Sequence, residues 1–501
     1  MSEENNSVST TETTRFNGYP RVRYALLFTM ILIILGGIGV LRIVASRQMP
    51  AWSPDQAILQ ADVLTKVYYC IEWFSIVGKG ELKVVDTRQA LEFRDAAATQ
   101  YRESFEKSPG FPSIRRLVII ETPTGRRTAL QLYNRLPTSS AATSSTTGNR
   151  KVESQMWKDI YLSKGKLSSP DVKKYRKLIR DMDLGWYENP ALADLYTQAG
   201  LKNEALTERS IAVDNAIKTI VPLGIVIIVL LILFVLGMFL GLFYVIRKQS
   251  SGLPGALNEV MLLPENEKSY LSGYLLEAFL FYILLFVILQ LAASILLGVM
   301  LRSGEMPRPD IMAFIEAGQY LLWSGLALSY LIYRLRRAGR TLRDIGLQST
   351  YTWQNIKWGI AGYVSGLPLV AVSALISQKL TESFKTPPNP VEPLLSANET
   401  ILSQIVLFLL LAVAAPFFEE IFFRGVLFTS LRARWGTMAG IVVSSAIFAG
   451  VHPLPLGFLP IFALGSVFSI LYYQRGSLIP GMIAHSLQNS MAFLLLILLS
   501  S

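Results

Sequence analysis

Long apolar runs without ionisable side chains dominate the second half of the chain. The clearest is residues 219–246 (TIVPLGIVIIVLLILFVLGMFLGLFYVI), which exceeds the roughly 20 residues that a helix needs to cross a ~30 Å hydrocarbon core. The pattern therefore predicts a mainly α fold, a polytopic transmembrane helical bundle of about nine spans. The other predicted spans are residues 24–41, 271–299, 311–333, 355–377, 401–430, 437–452, 457–473 and 478–499.

Residues 47–215 have a different pattern, because they are charged and contain no spanning run. Within them, LVIIETPTGRRTALQLY (117–133) predicts two strands around a Thr-Pro-Thr-Gly turn. Residues 138–149 have the Ser/Thr-rich composition of a low-complexity linker, and 191–206 predict a helical hairpin with Gly200 at the turn. We therefore expect an α+β domain of about 170 residues between the first two spans.

Basic residues cluster at the ends of three predicted spans, a distribution that orients helices in a membrane. The three clusters fall on the same side as the N-terminal tail, so this side is predicted to be cytoplasmic and residues 47–215 extracytoplasmic. The clusters close the second, fourth and sixth spans: Arg247 and Lys248; Arg334, Arg336, Arg337, Arg340 and Arg343; Arg432 and Arg434.

The first apolar run is interpreted as an uncleaved anchor, because its core is longer than a signal peptide's and Arg42 follows it. Basic inner loops and a signal-poor N-terminus favour a bacterial inner membrane, and are also compatible with a thylakoid or the endoplasmic reticulum. The predicted organisation is a disordered cytoplasmic tail (1–23), a transmembrane anchor (24–46), the extracytoplasmic domain (47–215), transmembrane helices (219–377) and a C-terminal membrane core (400–497).

Composition supports the membrane interpretation. Hydrophobic residues make up 51% of the chain and charged residues only 17%, against roughly 25% charged in soluble proteins. The net charge of +11 would suit nucleic acid, but its arginines lie at the ends of apolar runs, so we expect the bilayer and no nucleic acid as partner. The single cysteine, Cys70, excludes an intrachain disulfide framework and a site with several thiolates.

Ionisable side chains inside apolar runs are candidates for function, because a charge at the centre of a membrane helix costs about 2.5–3.5 kcal/mol. The sixth span contains Glu419, Glu420 and Arg424. Glu420 and Arg424 have the i, i+4 spacing of an ion pair, with the acid N-terminal. Neighbouring helical residues point about 100° apart, so this pairing leaves Glu419 on another face without an intrahelical partner.

The only two histidines lie in the following spans. His452 stands four residues after Phe448, and His485 stands one helical turn before Asn489 on the same face. Lipid cannot satisfy polar groups, so we expect these side chains to converge with Glu419 rather than to be isolated buried groups. A carboxylate beside a histidine can take a proton from water, and imidazole and amide N–H groups can stabilise an oxyanion. This combination points to amide hydrolysis by activated water.

The segments EEIFFR, FAGVH and HSLQN match the EExxxR, FxxxH and HxxxN motifs of the CPBP (Abi) family. These membrane peptidases are similar to the type II CAAX prenyl endopeptidase. The segments LGSVFSILYYQRGSLIPGMIAH (464–485) and RRAGRTLRDIGLQ (336–348) also resemble the family. The resemblance covers about 400–497 and leaves 47–215 without a counterpart.

This resemblance implies an intramembrane endopeptidase that needs no metal and cleaves a membrane-associated protein or peptide, prenylated CAAX-like substrates included. By motif position, Glu419 would be the base, His452 would help to hold the water, and His485 and Asn489 would stabilise the oxyanion. The same carry-over makes Glu420, Arg424 and Phe448 structural supports of the site.

Two alternatives stay open. Glu419, His452 and His485 could supply a His₂Glu zinc set with water as fourth ligand, although HExxH is absent and Asn489 would be unexplained. The chain could also be a non-catalytic membrane scaffold or immunity factor, although no motif residue is lost. Transport is disfavoured because no inverted repeat is present.

Overall fold

The computed structural model describes residues 22–34, 56–77, 87–107, 110–136, 144–251, 259–303, 309–348, 351–381, 400–452 and 457–500. Regular structure in these residues is helical throughout, and they form no strand. The chain divides into two compact units, which are described separately. The first comprises Ala51–Val229 with Leu495–Ser501, and the second comprises Met1–Pro50 with Leu230–Leu494.

The first unit is an all-helical domain. Its helices enclose an apolar core with Tyr101, Tyr133 and Trp157 fully buried at its centre. The predicted hairpin turn is confirmed, because Gly200 ends one helix in the left-handed region (φ 78°) that a residue without a Cβ adopts easily. The helices are α2 (Gln56–Val77), α3 (Thr87–Lys107), α4 (Phe111–Ile120), α5 (Pro123–Arg135), α6 (Ser144–Tyr161), α7 (Ser169–Asp181), α8 (Glu188–Ala199) and the start of α9 (Lys202–Ser251).

The predicted strands at 117–133 are wrong, and so is the α+β assignment for the described part of 47–215. Leu117–Ile120 form the last turn of α4, where all four side chains are buried. The Thr-Pro-Thr-Gly sequence begins a helix instead of turning a hairpin. Thr122 is the N-cap of α5 and accepts a hydrogen bond from the Gly125 backbone N–H (3.1 Å), while Pro123 occupies the first helical position.

The linker predicted at 138–149 is also wrong in part. Residues 144–149 form the first turns of α6, and residues 138–143 lie outside the described residues. The described part of the predicted tail and anchor is the helix Val22–Ile34, here α1; the remainder of 1–46 lies outside the description.

The second unit contains the apolar helices. Six helices of the described chain are long and apolar enough to cross a membrane. This unit comprises α1, the second half of α9, α10 (Glu265–Ser303), α11 (Pro309–Arg337), α12 (Thr352–Thr381), α13 (Ile401–Gly450), α14 (Phe458–Arg475) and α15 (Ile479–Ser500).

The prediction of about nine spans is not confirmed, for three reasons. The first predicted span is described only as the helix Val22–Ile34, and the rest of that span lies outside the described residues. The sixth and seventh predicted spans form the single helical element α13, bent at Gly436, whose φ of 85° and ψ of 171° are not helical. The eighth, α14, ends in Tyr-Tyr-Gln-Arg and is not among the six.

The segment between α11 and α12 is bound to the start of α15 and thereby helps to position it. The Gly346 carbonyl accepts a hydrogen bond from the Leu478 N–H (2.9 Å), and the Tyr472 hydroxyl donates to the Ile345 carbonyl (2.8 Å). Gly346 has φ 92°, and a Cβ there would lie 2.5 Å from the Tyr472 ring. Glycine is therefore required for this close approach.

Candidate active site

The two adjacent glutamates lie on an irregular part of α13. Residues Leu410–Ala414 and Ile421–Phe428 are π-helical, and the α-helical turn Ala415–Glu420 between them carries both carboxylates. A π segment adds a residue to a turn and shifts the angular positions of the side chains around it. Such segments occur frequently at functional sites, because they aim side chains in directions that a regular helix does not allow.

Glu420 and Arg424 form the ion pair expected from their i, i+4 spacing. Their side chains are 0% and 1% exposed, and Arg424 Nη1 lies 2.7 Å from Glu420 Oε1. Arg424 also donates to the Gly465 carbonyl (3.2 Å) on α14. Its guanidinium lies 4.3 Å from the ring centroid of Phe448, and a second ring covers it at 5.1 Å. The pair joins α13 to α14 inside the apolar interior.

His485 lies against both glutamates. Its Nδ1 is 3.3 Å from Glu420 Oε1, and its Nε2 is 3.8 Å from Glu419 Oε2. The imidazole is buried and stacks on the Phe468 ring at 5.0 Å, while the Phe448 ring meets it edge-on at 5.8 Å. Both carboxylates thus reach one imidazole through its two nitrogens, which the regular helical spacing did not predict.

Glu419 differs from Glu420 in its surroundings. Its side chain is 17% exposed, and its Oε2 is buried without a hydrogen-bond partner among the described residues. The 3.8 Å to His485 Nε2 is longer than a direct hydrogen bond. Glu420 Oε2 is likewise buried without a partner among the described residues, so the two carboxylates differ in that Glu420 is paired with Arg424 through Oε1 and fully buried, whereas Glu419 has no arginine partner and is partly exposed.

The other two predicted residues are positioned through backbone carbonyls. His452 Nδ1 hydrogen-bonds with the Phe448 carbonyl (2.7 Å), and the two rings meet edge-on at 4.8 Å. Asn489 Nδ2 donates to the carbonyl of Leu411 (2.8 Å), in the first π segment of α13. The structure thus brings Glu419, Glu420, Arg424, Phe448 and His485 into direct contact. It connects His452 and Asn489 to that cluster through its backbone.

Two residues that the sequence did not single out shape the cluster. At Gly481 a Cβ would lie 2.6 Å from Glu420 Oε2, so only glycine lets α15 approach the carboxylate. Phe468 supplies the face on which His485 stacks and also contacts Arg424. Gly481 lies within residues 464–485, which resemble the family in sequence, so the sequence could have indicated its importance. Phe468 is one apolar residue among many in its helix, so nothing in the sequence marked it.

The zinc alternative would need Glu419, His452 and His485 to converge on one ion. Among the described residues, no group of three or more His, Cys, Asp or Glu side chains is placed to hold a metal ion. Glu419 and His485 are neighbours, but His452 is turned to the Phe448 carbonyl and is not grouped with them.

The long apolar helices make this an integral membrane protein. Residues 401–491 match a protein family described as Type II CAAX prenyl endopeptidase Rce1-like. The match covers less than a fifth of the chain and contains all three motifs, so the resemblance stated from the sequence is confirmed. No curated protein and no solved structure gives a significant match to the chain. The family match supports an intramembrane protease.

Proposed function

We propose that the protein is an intramembrane endopeptidase in which the Glu419 carboxylate activates the attacking water. The observation that carries this proposal is the buried Oε2 atom of Glu419, which has no hydrogen-bond partner among the described residues and lies 3.8 Å from His485 Nε2. This separation is too long for a direct hydrogen bond and too short for a water on the line between the two atoms, so a water that contacts both would lie to one side of them, about 2.8 Å from each. A water held there would lie beside a base in an apolar surrounding.

The proposed reaction divides the work between the two glutamates. Glu419 takes a proton from water while the water oxygen bonds to the scissile carbonyl carbon. When the tetrahedral intermediate collapses, the C–N bond breaks and the leaving amine takes that proton from Glu419. Glu420 pairs with Arg424 and holds His485 in place through its 3.3 Å contact with Nδ1.

The oxyanion is assigned to His485 and Asn489, which lie one turn apart on α15. His485 Nε2 faces Glu419 and donates to the oxyanion when it carries a proton. The Asn489 amide donates to the Leu411 carbonyl in the absence of substrate and would exchange that bond for one to the oxyanion. His452 is assigned to help hold the water, as the family resemblance implies.

The substrate class follows from the family and the membrane location. We propose a membrane-associated protein or peptide, with prenylated CAAX-like peptides as the first class to test. We further propose a bacterial inner membrane, with the N-terminus cytoplasmic. These assignments rest on the basic clusters at the ends of the predicted spans.

The test is peptide cleavage by the purified full chain in proteoliposomes. Internally quenched peptides, farnesylated and unmodified, would be incubated with wild-type protein before and after prolonged chelation. Cleavage that survives chelation in protein without stoichiometric zinc supports the glutamate mechanism. Loss of activity with restoration by zinc would reassign Glu419, His452 and His485 as metal ligands. A folded protein that cleaves none of the peptides would favour the scaffold alternative.

A further inference from the structure

A row of polar side chains lies on one face of α11, inside the membrane-spanning part of the helix. Glu316, Gln319, Tyr320 and Ser324 have the i, i+3, i+4 and i+8 spacing that places residues on one helical face. Gln319, Tyr320 and Ser324 are called the polar stripe below. The sequence predicts only an apolar span for residues 311–333.

The polar stripe carries buried groups that the protein itself does not satisfy. Gln319 Nε2, Tyr320 Oη and Ser324 Oγ are buried without a hydrogen-bond partner among the described residues. The Tyr320 and Ser324 hydroxyls lie close to each other, and one hydrogen bond between them would still leave the second hydroxyl proton and the Gln319 amide without an acceptor among the described residues. By contrast, Ser329 on the same helix donates to the Gly325 carbonyl (2.8 Å). Unsatisfied buried groups are unfavourable, so three in one row call for a ligand or another functional explanation.

The polar stripe lies next to Glu419. The Tyr320 ring meets Phe418 edge-on at 6.2 Å, one residue before the proposed base. Tyr320 is also within range of the Glu419 charge. Tyr320 thus places the polar stripe beside the turn of α13 that carries the proposed base.

We propose that the polar stripe binds the backbone of an extended substrate segment beside the scissile bond. A peptide carbonyl must leave its helix before water can attack it, and lipid offers nothing to the N–H and C=O groups that this exposes. A Gln amide and two hydroxyls supply both donors and acceptors. This inference rests on the proposed function and adds how the substrate is held.

The dimensions fit a short stretch of peptide. From Gln319 to Ser324 the helix rises about 7.5 Å, at ~1.5 Å per residue. An extended chain advances ~3.3 Å per residue, so the polar stripe spans about two substrate residues. Since the contacts are to the backbone, this part of the site would tolerate many substrate side chains.

The test compares three conservative variants with matched controls on the same helix. The variants are Gln319→Met, Tyr320→Phe and Ser324→Ala, and the controls are Ser329→Ala and Tyr333→Phe. The probe is a farnesylated internally quenched peptide, with a second version N-methylated at the amides flanking the scissile bond. Affinity is measured by fluorescence anisotropy in the Glu419→Gln background, and KM, kcat and thermal midpoint in the otherwise wild-type chain.

Each stripe variant should raise Kd and KM about three- to tenfold, the effect of one hydrogen bond, with a smaller change in kcat. N-methylation should weaken binding to the wild-type stripe more than to the variants, and the controls should behave as wild type. The thermal midpoint should stay unchanged or rise, because an unsatisfied buried group is removed. Unchanged Kd and KM would overturn the inference, and so would a fall in thermal midpoint large enough to explain the weaker binding by unfolding. Either result would leave the proposed function intact. A wild-type protein that cleaves no peptide would overturn both.

Discussion

Replacing Glu420 by glutamine should destabilise the protein far more than replacing its neighbour Glu419. Glu420 and Arg424 are fully buried and 2.7 Å apart, so removing one charge leaves the other without its counterion in an apolar interior. Breaking such a pair costs about 3–5 kcal/mol. Arg424 keeps the Gly465 carbonyl and two aromatic faces, which places the expected loss toward the lower end of that range.

The assay is thermal unfolding of the purified protein in detergent, followed by intrinsic fluorescence. With at most about 2–4 °C per kcal/mol for a chain of this length, a loss of about 3 kcal/mol in Glu420→Gln should lower the midpoint by about 6–12 °C. The matched control is Glu267→Gln, which breaks a partly exposed pair with Arg340 (3.4 Å) and should cost less than about 1 kcal/mol.

A second variant separates the charge effect from loss of packing. Glu420→Gln combined with Arg424→Met removes both charges, and should recover part of the lost stability. A Glu420→Gln protein with the wild-type midpoint would refute the assignment of this pair as the structural centre of the site. A double variant less stable than the single one would show that the guanidinium contacts with Phe448 and Phe468, not the ion pair, hold the helices together.

Three further predictions follow from the geometry. Gly481→Ala should lower both activity and thermal midpoint, because its Cβ would lie 2.6 Å from Glu420 Oε2, whereas Gly450→Ala, in open space, should be neutral in the same assays. Burial raises the pKa of the Asp62 carboxyl, so the stabilisation that this group provides at pH below about 4 is lost as pH rises through its folded pKa. Asp62→Asn should therefore weaken the dependence of the thermal midpoint on pH above about 4. An unchanged pH profile would contradict this. The predicted topology places Gln155 outside the cytoplasm and Arg336 inside it. In a Cys70→Ser background, a membrane-impermeant maleimide should therefore label Gln155→Cys in intact right-side-out vesicles, and should label Arg336→Cys only after lysis. The reverse labelling pattern would show that the predicted topology is inverted.

Much of the membrane part could be predicted from the sequence, because an apolar run long enough to span a bilayer leaves few alternatives to a helix. The soluble-type segment was harder. The pattern at Leu117–Ile120 predicted a strand, because a short apolar run with β-branched residues is compatible with a strand and with a buried helical turn. Thr122 and Pro123 indicated a hairpin turn, although both residues also favour the start of a helix. In the structure Leu117–Ile120 form a helical turn, which is stabilised because their side chains are buried against neighbouring helices.

In the candidate site, too, local contacts could be predicted from the sequence and contacts between helices could not. The i, i+4 spacing was enough to pair Glu420 with Arg424, because that contact is local. The contacts of His485 with both glutamates depend on the π-helical segments and on the approach of α15 at Gly481, and regular helical geometry contains neither. The polar stripe on α11 was missed because isolated polar residues in a span are common, and only the structure shows them unsatisfied together.

The most direct test of the central claim is the cleavage rate of the Glu419→Gln protein at saturating peptide. Because Glu419 is 17% exposed and its Oε2 has no hydrogen-bond partner among the described residues, this variant should keep the wild-type thermal midpoint and peptide affinity. Its kcat should fall by about 10²-fold or more, since the general base is removed. A folded Glu419→Gln protein that cleaves the peptide at the wild-type rate would contradict the assignment of Glu419 as the base.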